Sequence, residues 1–337
     1  MDSNQAGIER VLVTGGAGYV GAVLVPKLLR RGYRVRVLDL FLFGEQVLDE
    51  VRSHPQLETI RGDLRDPAVV RQSLRGCDAV IHLACISNDP SFELDPALGK
   101  SINYDAFRPL VENSRASGVR RFIYASSSSV YGIKQEERVT ETLTLEPLTD
   151  YSKYKALCES VLREYQASDF TTVILRPATV CGYSPRLRLD LTVNILTHQA
   201  YTRGRIRVFG GSQYRPNLHI EDMTDLYVRL LELPDERMAG KIWNVGGENL
   251  TVQELADRIR DVLGDRPIEV VREPTADLRS YRICADLIHR DIGYLPQFTI
   301  ADAARDLVAA FQAGRVPDSL TDPRYYNIQT MQLNRLQ

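Results

Sequence analysis

Val11-Leu-Val-Thr-Gly-Gly-Ala-Gly-Tyr-Val-Gly21 decides how this chain is read. An apolar strand runs straight into a glycine-rich turn, and the turn opens a helix. Gly15, Gly18 and Gly21 stand three apart. The first permits a tight turn, the second lets the backbone approach a pyrophosphate, and the third lets helix and strand pack closely with the phosphates on the helix N-terminus. Tyr19 and Val20 lie inside the same turn and join the expected cofactor set. A second strand, Tyr33–Asp39, ends on a carboxylate eighteen residues past Gly21, where an acidic group takes ribose hydroxyls. Leu40, Phe41 and Leu42 follow it, not the arginine that a 2′-phosphate attracts. A strand–helix turn without a ligand would need none of this context.

The rest of the composition narrows the class. The 337 residues suit one large α/β domain with a smaller appended part, and 44% hydrophobic content is ordinary for a folded chain. The net charge of −2 and the lack of a basic run give no reason to expect nucleic acid or membrane as a partner. Met1–Arg10 has no apolar signal-peptide core, and no window approaches the apolar length of a membrane span. The five cysteines (Cys77, Cys85, Cys158, Cys181, Cys284) form no C-x-x-C pair, so neither a metal site nor a disulfide framework is expected. A reducing, cytoplasmic setting fits.

Strands and helices alternate through the first half. Strands are expected at Val11–Thr14, Tyr33–Asp39, Leu57–Arg61, Asp78–Ala84, Arg121–Ser126 and Thr171–Leu175. Helices are expected at Gly18–Arg31, Pro67–Leu74, Asp95–Ser117 as one long element, and Asp150–Gln166. Such alternation predicts a doubly wound parallel sheet of Rossmann type. After Arg176-Pro177 the pattern changes. A helix near Asp190–Arg203, another at Ile220–Leu233 and a strand at Lys241–Val245 precede Thr251–Leu263, whose Thr251 and Glu254 form a capping box. The expected division is a Rossmann domain of residues 1–178 with about 218–246, a substrate subdomain of about 179–217 with 247–320, and a tail of 321–337.

Chemistry concentrates in two places. Tyr151 and Lys155 are four apart in Tyr151-Ser-Lys-Tyr-Lys155 and share a helix face. A phenol, with its ordinary pKa of about 10, is a poor base at neutral pH unless a cation sits beside it, and Lys155 can supply that charge. Ala125-Ser-Ser-Ser-Ser-Val-Tyr-Gly132 follows an apolar strand. Ligands of open parallel sheets bind beyond the carboxyl ends of strands, where a hydroxyl can orient a substrate oxygen. At least two of these four serines are expected only to satisfy turn backbone.

Together these pieces resemble the extended short-chain dehydrogenase/reductase family, in its nucleotide-sugar epimerase and dehydratase branch. The resemblance spans nearly the whole chain: Thr14–Gly21, Gly62-Asp-Leu64, His82-Leu-Ala84, Ser127-x-x-Val-Tyr-Gly132, Tyr151-x-x-x-Lys155, Leu175-Arg-Pro177 and Arg215–Asp222. It implies a tightly held NAD. Asp63 and Leu64 would flank the adenine, Leu83 and Ala84 would line the cofactor floor, and Lys155 would bind the nicotinamide ribose. Tyr151 would be the catalytic base and Ser127 would bind the reacting sugar oxygen. Ser87, Ser128, Thr179, Asn194, Arg215 and Arg279 would meet the nucleotide sugar, the last three at its diphosphate or nucleotide. The resemblance also implies a homodimer through a four-helix interface of Asp95–Ser117 and Asp150–Gln166, whose apolar residues include Phe107, Leu110, Val111, Leu157, Val161 and Leu162.

Departures matter. Thr179 stands where the branch often has Asn, and Cys181 where it has Tyr or Phe. Members that eliminate water carry Asp-Glu after the catalytic hydroxyl, and here Ser128-Ser129 occupies those positions. Ser184–Asn194 resembles the matching segment of GDP-heptose 4-dehydrogenases. The expected activity is NAD-dependent oxidoreduction at C4 of a nucleotide-linked sugar, as epimerase or dehydrogenase. A 4,6-dehydratase and a non-catalytic NAD-binding regulator remain as alternatives. The Asp39 carboxylate predicts clear preference for NAD(H) over NADP(H) in calorimetric titration. Equal or tighter NADP(H) binding would remove Asp39 from that role.

Overall fold

The computed structural model describes residues 7–275 and 280–334. β1 (Arg10–Thr14) runs into α1 (Gly21–Arg30), followed by β2 (Arg34–Asp39), β3 (Leu57–Arg61), α2 (Pro67–Leu74) and β4 (Ala79–His82). Then come α3 (Asp89–Glu93), α4 (Pro96–Lys100), α5 (Phe107–Ala116), β5 (Arg121–Ala125), α6 (Asp150–Arg163) and β6 (Thr171–Pro177). The second half holds β7 (Thr179–Cys181), α7 (Thr192–Arg203), β8 (Arg205–Phe209), β9 (Tyr214–His219), α8 (Ile220–Glu232), β10 (Lys241–Val245), β11 (Glu248–Thr251), α9 (Val252–Val262) and β12 (Glu269–Glu273). It closes with α10 (Asp286–Ile292), α11 (Ile300–Gln312) and α12 (Asn327–Asn334).

The main sheet has the order β10-β6-β5-β4-β1-β2-β3, and every pairing in it is parallel. Its central strands are apolar on both faces because helices cover both. Val11 and Val13 pack under α1 and α8 with Leu24, Leu28, Leu226 and Leu230, while Leu12 and Val80 pack under α2, α5 and α6 with Leu74, Phe107, Leu110 and Leu162. This is the doubly wound sheet expected from the alternation. β7, β9 and β11 form a small mixed sheet, and β8 pairs with β12. α7, α9 and α11 gather around Val193, Ile206, Leu255 and Ala303 in a core of their own.

Local signals explain most boundaries. Asp66 and Asp95 cap α2 and α4, each followed by Pro in the first turn, and Thr251 with Glu254 closes the expected box on α9. The long helix expected over Asp95–Ser117 is interrupted. A π-turn at Ser101–Asp105 separates α4 from α5. Its cause is tertiary: Asn103 turns inward, accepts from the Ile86 backbone N–H at 2.8 Å and donates to the Ile86 carbonyl at 2.9 Å. The Cys158 thiol donates to the Asn103 carbonyl at 3.2 Å, so the altered ladder leaves no orphan there. Of the apolar residues expected at an interface, Phe107, Leu110, Val111, Val161 and Leu162 pack inward, and Leu157 alone of that set is exposed.

Beneath the sheet's carboxyl edge, His82 is fully enclosed, with Thr14 Oγ1 2.7 Å from its Nδ1 and the Tyr124 ring stacked on it. Burial, then the nearby Lys155 charge, push its pKa down to about 3. The unfolded chain takes up this proton near its ordinary value of about 6.5. Between those two values the unfolded state binds more protons, so stability falls as pH falls, by about 1.4 kcal/mol per pH unit for this one group. Urea unfolding of wild type and His82→Gln at about pH 7 and about pH 5 should therefore show a smaller acid loss in the variant. Equal losses would contradict the neutral, buried assignment.

Candidate active site

A cleft of about 530 Å³ opens over the carboxyl ends of β1, β4, β5 and β6. It lies where the strand order reverses between β1 and β4, the general ligand position of such sheets. At one end the glycine turn is pressed against its surroundings. Gly15 has φ +73°, and a Cβ there would stand 2.6 Å from the Ala84 backbone nitrogen. A Cβ on Gly21 would stand 2.5 Å from the Gly16 carbonyl oxygen. Gly18, Tyr19 and Val20 line the cleft above this turn, and Leu83 with Ala84 line its floor. The Asp39 carboxylate at the end of β2 accepts from the Ala17 N–H at 2.9 Å and the Phe41 N–H at 2.7 Å. Burial raises its pKa, and those two donors oppose the rise. Asp63 and Leu64 line the same end, with Asp63 held by Arg65 at 2.7 Å. A bare backbone cradle beside an ordered carboxylate fits a dinucleotide.

The other end gathers the titratable and hydroxyl side chains. Tyr151 starts α6, with Ser127 beyond β5 within hydrogen-bonding reach of its hydroxyl. Ser127 Oγ also accepts from the Ser129 N–H at 3.1 Å and the Ser129 hydroxyl at 2.9 Å. Lys155 sits one turn along the helix, its Nζ 5.8 Å from the Tyr151 ring centre and 2.6 Å from the Ala125 carbonyl it donates to. Burial raises the phenol's pKa, with Cys85 and Asp89 adding to the rise, and Arg188 and Ser127 oppose it. Arg188 is thus a cation beside the phenol that sequence reading did not single out. It donates to Ser87 Oγ at 3.1 Å and pairs with Asp190 at 2.9 Å. Ser87, Ser128, Thr179 and Arg215 line this end of the cleft, and Ser128 Oγ lies 3.2 Å from the Tyr281 hydroxyl.

The chain matches the family described as NAD dependent epimerase/dehydratase over residues 11–246. It belongs to that family. It is 27% identical to a UDP-glucose 4-epimerase of Rhizobium leguminosarum bv. trifolii over 317 residues, covering 88% of this chain and 95% of that one. An uncharacterized protein of Sinorhizobium fredii, y4nG, is 38% identical over 177 residues, which is 52% of this chain but 42% of its relative. Among solved structures, the dTDP-glucose 4,6-dehydratase DesIV of Streptomyces venezuelae, crystallised with NAD and TYD, superposes with a TM-score of 0.82 at 28% identity, covering 94% of this chain and 99% of that one. The cofactor of this family is NAD, in accord with the cradle at Gly15–Gly21 and with Asp39.

One expected substrate residue, Asn194, does not stand in the cleft wall. Asn194 is fully buried outside the cleft lining. Its Oδ1 accepts from the Gly182 N–H at 3.0 Å, and its Nδ2 donates to Tyr19 Oη at 3.1 Å and the Arg188 carbonyl at 2.9 Å. It ties three segments together, with both amide hydrogens engaged and no surface exposed to the cleft. Arg279 lies outside the described residues. Conversely, Glu159 is a positioning residue the sequence reading passed over. Tyr151, Lys155 and Glu159 are spaced four apart, so all three share the inward face of α6, and that spacing was the available signal. Glu159 accepts from Arg176 Nη2 at 2.6 Å and from the Ser126 hydroxyl at 2.5 Å, with both charged side chains almost fully enclosed. Glu159→Gln leaves Arg176 charged and buried with its carboxylate gone, so unfolding free energy should drop by about 3–5 kcal/mol in denaturant titration. A drop below about 1 kcal/mol, the value of an exposed pair, would show that the pair carries no such burden.

Proposed function

We propose that this chain carries out NAD-dependent oxidoreduction at C4 of a nucleotide-linked sugar, as a 4-epimerase or a 4-dehydrogenase. The observation that carries the reading is that Ser127, Tyr151 and Lys155 line the same cleft as the glycine turn and Asp39. When bound, NAD supplies the acceptor for a hydride and, in an epimerase, its return. Tyr151 as phenolate takes the proton of the 4-hydroxyl. Ser127 holds that oxygen in line and shares the proton's path. Arg188 and Lys155 are the cations that favour the ionised phenol against its burial. Arg215, at the cleft wall, is suited to the substrate's diphosphate because its planar fork donates two bonds at once.

The likeness to a 4,6-dehydratase keeps elimination of water as the second reading. Against it stand Ser128 and Ser129, whose hydroxyls bond Tyr281 and Ser127 and provide no carboxylic acid or base for the C5–C6 elimination. A non-catalytic regulator would have no need of Ser127, Tyr151 and Lys155 together. Incubation with UDP-, GDP-, CDP- and dTDP-sugars, with products followed by NMR, tests the reading. An inverted C4 or a released 4-ketone supports it. A 6-deoxy-4-keto product establishes the dehydratase, and inertness toward all of them favours the regulator.

Tyr151→Phe should lower turnover by orders of magnitude with NAD still bound, because only the proton-transferring oxygen is lost. Ser127→Ala should cost about ten- to a thousandfold. Wild-type turnover in Tyr151→Phe would overturn the proton path.

The same reading includes a homodimer through the outer faces of α5 and α6, where Leu157 is exposed, and a cytoplasmic setting, in which the five thiols stay free. Light scattering at micromolar concentration should give twice the chain mass. A monomer mass would reject the dimer.

A further inference from the structure

Arg186 stands on the irregular segment between β7 and α7, outside the glycine turn and its sheet, yet it lines the dinucleotide end of the cleft. Only 3% of it is exposed. A guanidinium this deep calls for an anion. Among the described residues its hydrogen-bond partners are neutral: the Asn327 side-chain oxygen, and the Leu187 carbonyl at 3.4 Å. Its Nε is fully enclosed and has no hydrogen-bond partner among the described residues. Arg188, two residues on, has Asp190 as its anion. The Arg186 guanidinium carbon lies over the Phe43 ring, 3.5 Å from its centre. Phe43 follows Asp39 by four residues, and the field of Arg186 reaches both Asp39 and Tyr19. Burial, then the charge of Arg188, push its pKa down to about 9, so it still carries its charge at neutral pH.

We propose that Arg186 is the cationic partner of the dinucleotide's pyrophosphate, reaching it from the side opposite the glycine turn. The turn at Gly15–Gly21 offers backbone N–H groups and a helix end, which together hold only part of two negative charges. Asp39 adds a further negative charge at the same end of the cleft. A cation held ready on the far wall balances this. Neutral, sparse partners and an unused Nε donor leave Arg186 the capacity to form a bidentate contact. The arginine is anchored through Asn327, which also donates to Ser87 Oγ at 3.0 Å, and Asn334 at the end of α12 donates to the Leu42 carbonyl at 3.3 Å. The C-terminal helix therefore straps Arg186 over the cofactor end of the cleft and links that end to the Ser87–Arg188 pair beside Tyr151.

The test separates phosphate recognition from packing. Wild type and Arg186→Met, both stripped of bound nucleotide, are titrated with NAD and ADP-ribose by calorimetry and with adenosine by saturation-transfer NMR. Arg186→Met fills the space and deletes the charge. NAD and ADP-ribose affinity should fall roughly 10- to 100-fold, as for loss of hydrogen bonds to a charged group, while adenosine binding stays unchanged. Unchanged ADP-ribose affinity overturns the proposal and leaves the cofactor site itself standing. An equal fall for adenosine overturns it as well, because the residue would then only shape the pocket. Should Arg186→Met not fold, Arg186→Gln deletes the charge with a hydrogen-bonding group retained, and the same two outcomes are read from it.

Discussion

Burying the Arg176–Glu159 ion pair constrains everything around it. Two charges withdrawn from water are tolerated only when each is paired and its remaining valences are met. Here they are met by side chains from separate elements. Ser126 at the end of β5 donates to Glu159, Arg176 on β6 donates to the Tyr131 hydroxyl at 2.8 Å, and that hydroxyl donates to Asn244 on β10 at 2.7 Å. The network thus fixes the rotation of α6 relative to the strand ends. Because Tyr151 and Lys155 ride on the same face of α6 as Glu159, the phenol's place beside Ser127 follows from the ion pair beneath it.

The two ends of the cleft are built on opposite physical grounds. The glycine turn has no side chains to spare: any Cβ at Gly15 or Gly21 would meet backbone, so only the main chain faces the cleft there. The Tyr151 end crowds charged side chains into a space that penalises them. Tyr151 is driven toward its neutral form by burial, and the charge of Arg188 and the hydrogen bond of Ser127 oppose that. In the proposed reaction, such opposition would let the phenol cycle between donor and acceptor of one proton.

Much of this was legible in the sequence where the signal is local. The strand–turn–helix at Val11–Gly21, Asp39 at a strand end, the Tyr151/Lys155 spacing and the caps at Asp66, Asp95 and Thr251 all depend on residues within a few positions of one another. What escaped depends on distant partners. The π-turn at Ser101–Asp105 exists because Asn103 reaches the Ile86 backbone across the fold. Asn194 reads as a ligand residue by position, but it is fully buried and its side chain bonds Tyr19, Gly182 and Arg188. The tail had no clear pattern because α12 is held by Asn327 and Met331 on the cleft's own residues and shows no apolar stripe. Arg186 and Arg188 alternate with Leu187 and Leu189, a pattern that reads as a half-exposed strand with the arginines outward, so their burial was not legible.

The central claim is that C4 of a nucleotide sugar is oxidised in this cleft. Deuterium placed at C4 tests it most directly, using the sugar nucleotide on which the protein turns over. The account predicts transient absorbance of reduced nicotinamide on the protein, with the label back at C4 of an epimerised product or retained on the reduced cofactor of a released ketone. Turnover with no reduced nicotinamide at any time, or with the deuterium found at C6, would contradict it.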